Sequence, residues 1–114
     1  MKVKDKAIYE ERAAVMKALA HPSRLMMVDE LSRGERCVCE LTDLVGADIS
    51  TVSKHLSILK KAGIVDCRKD GVQRIYRLKV PCVVNIFSCI EAVHEERHRE
   101  STAESGLAKD GVRK

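Results

Sequence analysis

Two cysteines separated by a single residue, Cys37 and Cys39, are the sharpest chemical feature of this sequence. Thiolates bind soft metal ions and also take part in redox chemistry. The chain has five cysteines, an odd number that argues against a framework of disulfides. Cysteines outside such frameworks serve as metal ligands, redox sensors or small buried apolar residues, and the residues alone leave these roles open.

The other three cysteines have weaker patterns. Cys82 and Cys89 are seven residues apart, which places them on one face of a helix. They could form a separate thiol site, or they could be apolar residues of a dimer interface. Cys67 falls on a predicted strand and has no partner in the sequence pattern.

Two histidines near the carboxyl end form a further candidate metal site. His94 and His98 are four residues apart, and Glu91 and Glu95 lie beside them. This spacing can bind zinc. The alternative is a solvated histidine pair on a charged helix end.

A third group of side chains suits contact with DNA. Residues 48–62 predict a helix that begins after Asp48 and buries Val52, Leu56 and Leu59 on one face. Its outward face carries short hydrogen-bonding side chains and one cation, namely Ser50, Thr51, Ser53, Lys54, Ser57 and, partly outward, His55. Such a face can enter the major groove, and it has no carboxylate to repel phosphate. The alternative is a merely polar helix surface.

Basic residues concentrate in the same part of the chain. Residues 50–79 carry a net charge of +6, whereas the whole chain carries +4, so the rest is slightly acidic. A contiguous basic segment is an electrostatic footprint for phosphates, although a basic solvated surface would look the same. Within it, a predicted hairpin supplies Arg68, Lys69, Gln73 and Arg74, which we expect to position DNA rather than to read its sequence.

Hydrophobic periodicity and chain breakers predict the elements that hold these groups. In order, we expect a helix over 6–19, a second that Pro22 opens and Arg33-Gly34-Glu35 ends, a third over about 37–45, a fourth over 48–62, strands Ile64–Arg68 and Val72–Leu78 around Asp70-Gly71, and a last helix from Pro81 to about Arg99. The small polar residues of 101–114 predict a disordered tail.

These elements indicate a mainly α fold with a β-hairpin wing, the winged helix-turn-helix. Gly46 makes the tight turn between its third and fourth helices. The first and last helices lie outside that unit and have apolar stripes, which we expect to pair across the two-fold axis of a homodimer. The alternative is packing within one subunit. Residues 1–100 would then form one DNA-binding and dimerisation domain.

Composition narrows the function further. Charged residues make up 33% of the chain and hydrophobic residues 45%, and no apolar run approaches the roughly 18 residues of a membrane span. The charged amino terminus is followed by no apolar stretch, so it does not read as a signal peptide. We therefore expect a cytoplasmic protein without a membrane partner. No nucleophile–base constellation or phosphate-binding glycine loop indicates an enzyme.

Three segments together resemble the ArsR/SmtB family of bacterial repressors over about residues 8–95. They are Ala20-His21-Pro22-Ser23-Arg24-Leu25, the run from Ser50 to Val65, and Gly71 through Tyr76-Arg77-Leu78. The resemblance implies a homodimeric winged-helix repressor that binds an inverted repeat in double-stranded operator DNA. It implies release from that operator when an inducer binds, and no obligatory cofactor.

By the same resemblance, Cys37 and Cys39 form the family's Cys-Val-Cys metal-binding box at the start of the third helix. They would ligate As(III), Sb(III), Cd(II) or Pb(II), with arsenite as the leading inducer. Residues i and i+2 of a regular helix point about 200° apart. We therefore expect an ion held by both sulfurs to distort the first helical turn and so to displace Ser53 and Lys54.

The sequence departs from the family's pattern at the remaining ligands. The arsenic-responsive branch often has a third cysteine where Thr42 stands, and the cadmium/lead branch uses amino-terminal cysteines that segment 1–20 lacks. A third ligand would come from Cys67, Cys82, Cys89, solvent or an exogenous thiol. The family's zinc and nickel sensors use the last helix, but Val80-Pro81-Cys82 stands where their acidic ligand would begin it.

Two alternative sensing functions share this fold. One is a thiol redox or reactive-sulfur sensor, in which two of Cys37, Cys39, Cys82 and Cys89 oxidise or bridge through sulfur. The other is a zinc-type sensor that uses His94 and His98 of the last helix.

Overall fold

The computed structural model describes residues 3–108, which fall into two compact units with a boundary between Cys82 and Val83. The first unit contains four helices and three short strands: α1 (Val3–Leu19), α2 (Pro22–Leu31), β1 (Arg36–Cys37), α3 (Val38–Val45), α4 (Ile49–Lys61), β2 (Val65–Asp70) and β3 (Gln73–Leu78). A 3-10 turn at Pro81–Val84 precedes α5 (Asn85–Ala108). The predicted mainly α fold with a hairpin wing is confirmed.

The core of the first unit lies where α2, α3 and α4 pack against one another and against the base of the hairpin. Its fully buried side chains are Met27, Val28, Leu41, Val52, Leu56, Leu59 and Val65. The three that α4 contributes are the three that its periodicity predicts. Their burial fixes the rotation of α4 about its own axis, and therefore decides which of its side chains face solvent.

A tight turn joins α3 to α4. Gly46 adopts φ 76°, in the left-handed region that favours glycine, and its N–H donates to the carbonyl oxygen of Thr42 at 2.9 Å. Asp48 then occupies the N-cap position of α4 with an extended backbone. The predicted helix-turn-helix is therefore present with the predicted turn residues.

The three strands form an antiparallel sheet in the order β1-β3-β2. Strand β1 was not predicted, because two residues are too few to show an alternating pattern; it forms by pairing Arg36 with Tyr76 and Cys37 with Ile75. The hairpin loop is also one residue away from its predicted position. Asp70 pairs with Gln73, so the loop is Gly71-Val72, and the positive φ of Gly71 alone fits a type II′ turn.

The second unit is dominated by α5. The helix was predicted to start at Pro81, but Pro81–Val84 winds as a 3-10 turn and the α-helix starts at Asn85. It continues to Ala108, so the segment 101–114 predicted as a disordered tail begins inside this helix, and residues 109–114 lie outside the described residues. No helix within residues 3–108 is both long and apolar enough to cross a membrane.

Replacement of Leu56 by alanine tests whether burial of the α4 stripe holds the fold together. Leu56 is fully buried, so we expect Leu56→Ala to lower the free energy of unfolding by about 2–5 kcal/mol, through lost transfer energy and a residual cavity. Urea denaturation at fixed protein concentration measures it. The matched control is Ile58→Ala in the same helix, where the side chain is 41% exposed. Its loss in free energy of unfolding should be about 0.5 kcal/mol. Equal losses in the two variants would contradict the assigned rotation of α4.

Candidate DNA interface and thiol pocket

The outward face of α4 has the composition predicted for it. Ser50, Thr51, Ser53, Lys54 and Ser57 are exposed, and His55 is half-buried. The opposite stripe of α4 lies in the core. The structure therefore brings these six predicted site residues together on one surface of one helix.

One carboxylate lies at the start of that surface. Asp48 accepts hydrogen bonds from the hydroxyls of Ser50 and Thr51, each at 2.6 Å. These bonds, Ser50 first and Thr51 second, lower the pKa of Asp48 to about 2. Because both hydroxyl protons point to Asp48, the two oxygens are left as acceptors. In this arrangement they suit base amino groups better than phosphate oxygens.

His55 packs against Arg24 of α2 and against His21, the N-cap residue of that helix. Arg24 Nη1 lies 3.1 Å from His55 Nδ1, and the His21 and His55 rings have centroids 4.4 Å apart. Burial, followed by the charges of His21 and Arg24, lowers the pKa of His55, which favours its neutral form. Since a guanidinium can only donate, His55 Nδ1 accepts and the ring proton sits on Nε2. Sequence reasoning placed Arg24 in a family motif but missed its contact with His55.

The wing carries the remaining predicted DNA contacts. Lys69 and Arg74 are direct cross-strand partners, and Gln73 begins β3; all three are exposed. Like charges placed opposite each other repel, so an anion between Lys69 and Arg74 would stabilise the wing. Arg74 Nη1 also donates to Cys67 Sγ at 3.4 Å.

Arg68 differs from the other wing cations. Its guanidinium pairs with Glu35 at 2.7 Å and lies 3.9 Å from Asp70. These carboxylates offset its charge, so Arg68 ties the hairpin to the loop before β1. The sequence did not indicate this ion pair, because Glu35 is distant in sequence, and the role of Arg68 in positioning DNA stays a prediction.

The two cysteines of the Cys-Val-Cys segment differ sharply in their surroundings. Cys37 is buried, with 8% exposure, whereas Cys39 is exposed. Cys37 is the N-cap of α3 with φ −81° and ψ 163°, so it precedes the helix. The premise behind the expected helix distortion, that both cysteines lie inside the helix, was therefore wrong, because the 200° separation applies only to residues inside a helix.

The backbone of Cys37 is fixed on two sides. It pairs with Ile75 of the wing, and its N–H donates to Glu40 Oε1 at 2.8 Å. The same N–H is the main reason why the pKa of Glu40 is lowered. The first cysteine is thus bonded into the wing sheet and into the first turn of α3 at once.

Both cysteines line a single cavity of about 390 Å³, within the range of small-molecule pockets, roughly 300–1,000 Å³. We call this cavity the thiol pocket. Its lining residues come from the start of α3, from α4 and from the wing: Cys37, Val38, Cys39, Ile49, Ser53, Val72, Gln73, Arg74 and Tyr76. The predicted metal ligands and three of the predicted DNA contacts therefore share one space. The sequence did not predict this shared pocket, because strand β1, which brings Cys37 to the wing, was not predicted.

The thiol pocket offers an ion two thiolates and no third strong ligand. All five cysteines are free thiols, and Cys67 does not line the pocket. The hydroxyl of Thr42 donates to the carbonyl oxygen of Val38 at 2.8 Å. Within the described part of the chain, no group of three or more His, Cys, Asp or Glu side chains is placed to hold a metal ion. A trivalent ion here would need a third ligand from beyond the residues that line the pocket, such as solvent or an added thiol.

The candidate zinc residues lie together on α5 without completing a site. His94 and His98 line one depression with Glu95, Arg99 and Thr102. The depression contains one carboxylate and a cation, and Arg99 pairs with Glu96 at 2.9 Å. Among the described residues, these side chains are not placed as a group of three or more that could hold a metal ion, and zinc requires three or four ligands.

Comparisons with known proteins agree with this geometry. Residues 21–66 match the family described as "bacterial regulatory protein, arsR family". The chain is 37% identical over 83 residues to the biofilm growth-associated repressor of Agrobacterium fabrum, covering 73% of this chain and 71% of that protein. It is 34% identical over 90 residues to the HTH-type transcriptional regulator Rv0324 of Mycobacterium tuberculosis, of which the match spans 40%, against 79% of this chain.

A solved structure has the same fold. The solution NMR structure of the Mycobacterium bovis Mb0332 fragment 1–100 superimposes with a TM-score of 0.73 at 31% identity, covering 88% of this chain and 93% of that one. It is described as a homodimeric winged helix-turn-helix DNA-binding domain of a possible ArsR-family transcriptional regulator. The relatives are transcriptional regulators, in agreement with the prediction that the chain is not an enzyme. From the family match, the relatives and the shared fold, we conclude that this chain belongs to the ArsR family of bacterial regulatory proteins.

Proposed function

We propose that the chain is a homodimeric repressor that binds an inverted-repeat operator and leaves it when a thiophilic metal(loid), foremost arsenite, binds Cys37 and Cys39. The observation that carries the DNA-binding part is the exposed face of α4, with its serines, threonine and lysine on one surface beside the wing. A repressor of this kind acts in the cytoplasm, where operator DNA lies.

Recognition in this proposal divides between the helix and the wing. The side chains of α4 would enter the major groove, where short hydroxyls and Lys54 reach base edges and phosphates. The wing would position the protein through phosphate or minor-groove contacts. The proposed contacts are Ser50, Thr51, Ser53, Lys54, His55, Ser57, Lys69, Gln73 and Arg74.

Apolar side chains left exposed on α1 and α5 support the homodimer. On α1, Ile8 is 44% and Met16 62% exposed; on α5, Ile90 and Val93 are each more than half exposed. Exposed apolar patches mark interaction sites, and we propose that each of these helices contributes such a patch to the dimer. A two-fold dimer would also present two copies of α4 to the two halves of an inverted repeat.

The chemistry of the thiol pocket supports a thiophilic metal(loid) as the inducer. Two thiolates favour soft ions over hard ones, and the pocket places a buried and an exposed thiol on one cavity. Inducer binding releases DNA to the extent that the ion binds the DNA-free protein better than the DNA-bound protein.

Replacing Lys54 by alanine tests the DNA-facing role of α4. Each lost phosphate contact should make the slope of log affinity against log salt less negative by about 0.9 and weaken binding to all sequences alike. Fluorescence anisotropy with the upstream promoter duplex at several salt concentrations measures both quantities. The control is Lys79→Ala, an exposed lysine after β3 that is not among the proposed contacts. An unchanged slope for Lys54→Ala would count against the proposal.

Replacing either cysteine of the pocket tests the inducer. We expect arsenite to release DNA from the unmodified protein and to fail with Cys37→Ser and with Cys39→Ser, because one thiolate holds the ion too weakly. The same anisotropy titration measures release, and Cys89→Ser is the control that should still respond. Normal release from either pocket variant would refute the assignment. Release by peroxide but not by arsenite, cadmium or lead would favour the thiol redox alternative.

A further inference from the structure

We infer that the thiol pocket is also the space that a DNA backbone occupies, so that a ligand held at Cys39 excludes operator DNA by filling that space. This inference rests on the proposed function for the identity of the ligand-binding thiols. It goes beyond that function because release then needs no distortion of a helix.

The walls of the pocket are the two elements that grip DNA in the proposal. Ile49 and Ser53 of α4 line one side, and Val72, Gln73 and Arg74 of the wing line another. Three of these residues, Ser53, Gln73 and Arg74, are also proposed DNA contacts.

The geometry of the duplex assigns an occupant to the space between those walls. A helix in the major groove and a wing in the adjacent minor groove stand on either side of one sugar-phosphate backbone, because one such backbone separates neighbouring grooves. That backbone must pass between α4 and the hairpin. Arg74, which lines this space and is exposed, is placed to meet its phosphates.

The positions of the two thiols suit a ligand that enters from the DNA side. Cys37 is buried and Cys39 is exposed on the same cavity, so a ligand reaches the pair through the open side. The backbone of Cys37 is fixed by Ile75 and Glu40, which favours an adduct that projects into the pocket over one that unwinds α3.

Release by a filled pocket can be distinguished from release by two sulfurs drawn together with a reagent that forms only one bond to sulfur. N-ethylmaleimide forms a single S–C bond when the thiolate adds to its double bond, and the proton ends on the neighbouring carbon. It therefore fills space at one cysteine but cannot draw two sulfurs together. The test protein keeps Cys39 and carries serine at the other four cysteines. The matched control carries serine at all five cysteines together with Lys79→Cys, at an exposed position after β3 that is not among the proposed contacts.

Operator affinity is measured before and after alkylation, with mass spectrometry confirming one adduct. We expect the Cys39 adduct to weaken binding by about tenfold or more and the adduct at position 79 by less than about twofold, each relative to the same variant before alkylation. In the protein with all five native cysteines, promoter DNA should slow alkylation of Cys39 by about tenfold or more. The rate at Cys89 should change by less than about twofold. A Cys39 adduct that binds DNA normally, or alkylation of Cys39 at equal rates with and without DNA, overturns the inference.

A parallel arsenite titration keeps the two proposals distinguishable. If arsenite does not release DNA but the Cys39 adduct does, the proposed inducer is wrong and the shared space stands. If arsenite releases DNA but the adduct does not, the shared space is wrong and the proposed inducer stands.

Discussion

Burial of one apolar stripe on α4 is the constraint from which the functional surface follows. Val52, Leu56 and Leu59 are fully buried, and together they set the rotation of the helix about its axis. With that rotation fixed, Ser53 and Lys54 can only face outward. The free energy of apolar burial, about 25 cal/mol per Å², thus stabilises the fold and at the same time aims the DNA-facing side chains.

A second connection, the pairing of β1 with β3, joins the thiols to the wing. Through it, Cys37 shares a sheet with Arg74 and Gln73, and the start of α3 closes one side of the space between the wing and α4. A small ligand at this point lies among groups proposed to hold DNA. Sensing and binding can therefore be coupled over the width of one pocket, without a long chain of packed side chains between them.

Much of this architecture could be predicted from the sequence, for physical reasons that differ among its elements. The stripe of α4 and the turn at Gly46 have local signals, because a 3.6-residue period and a left-handed glycine need no distant partner. Strand β1 has no such signal, since its two residues become a strand only through pairing with β3. The thiol pocket depends on that pairing. The contacts of Arg24 with His55 and of Arg68 with Glu35 likewise join residues that no local pattern connects.

In the proposed complex, α4 and the wing together form the DNA-binding surface, with the thiol pocket between them. Amide chemical-shift changes in isotopically labelled protein on addition of the upstream promoter duplex test it most directly. We expect the largest changes on residues 48–57, on residues 69–74 and on Cys39. Largest changes confined to α1 or α5, with α4 and the wing unaffected, would contradict it.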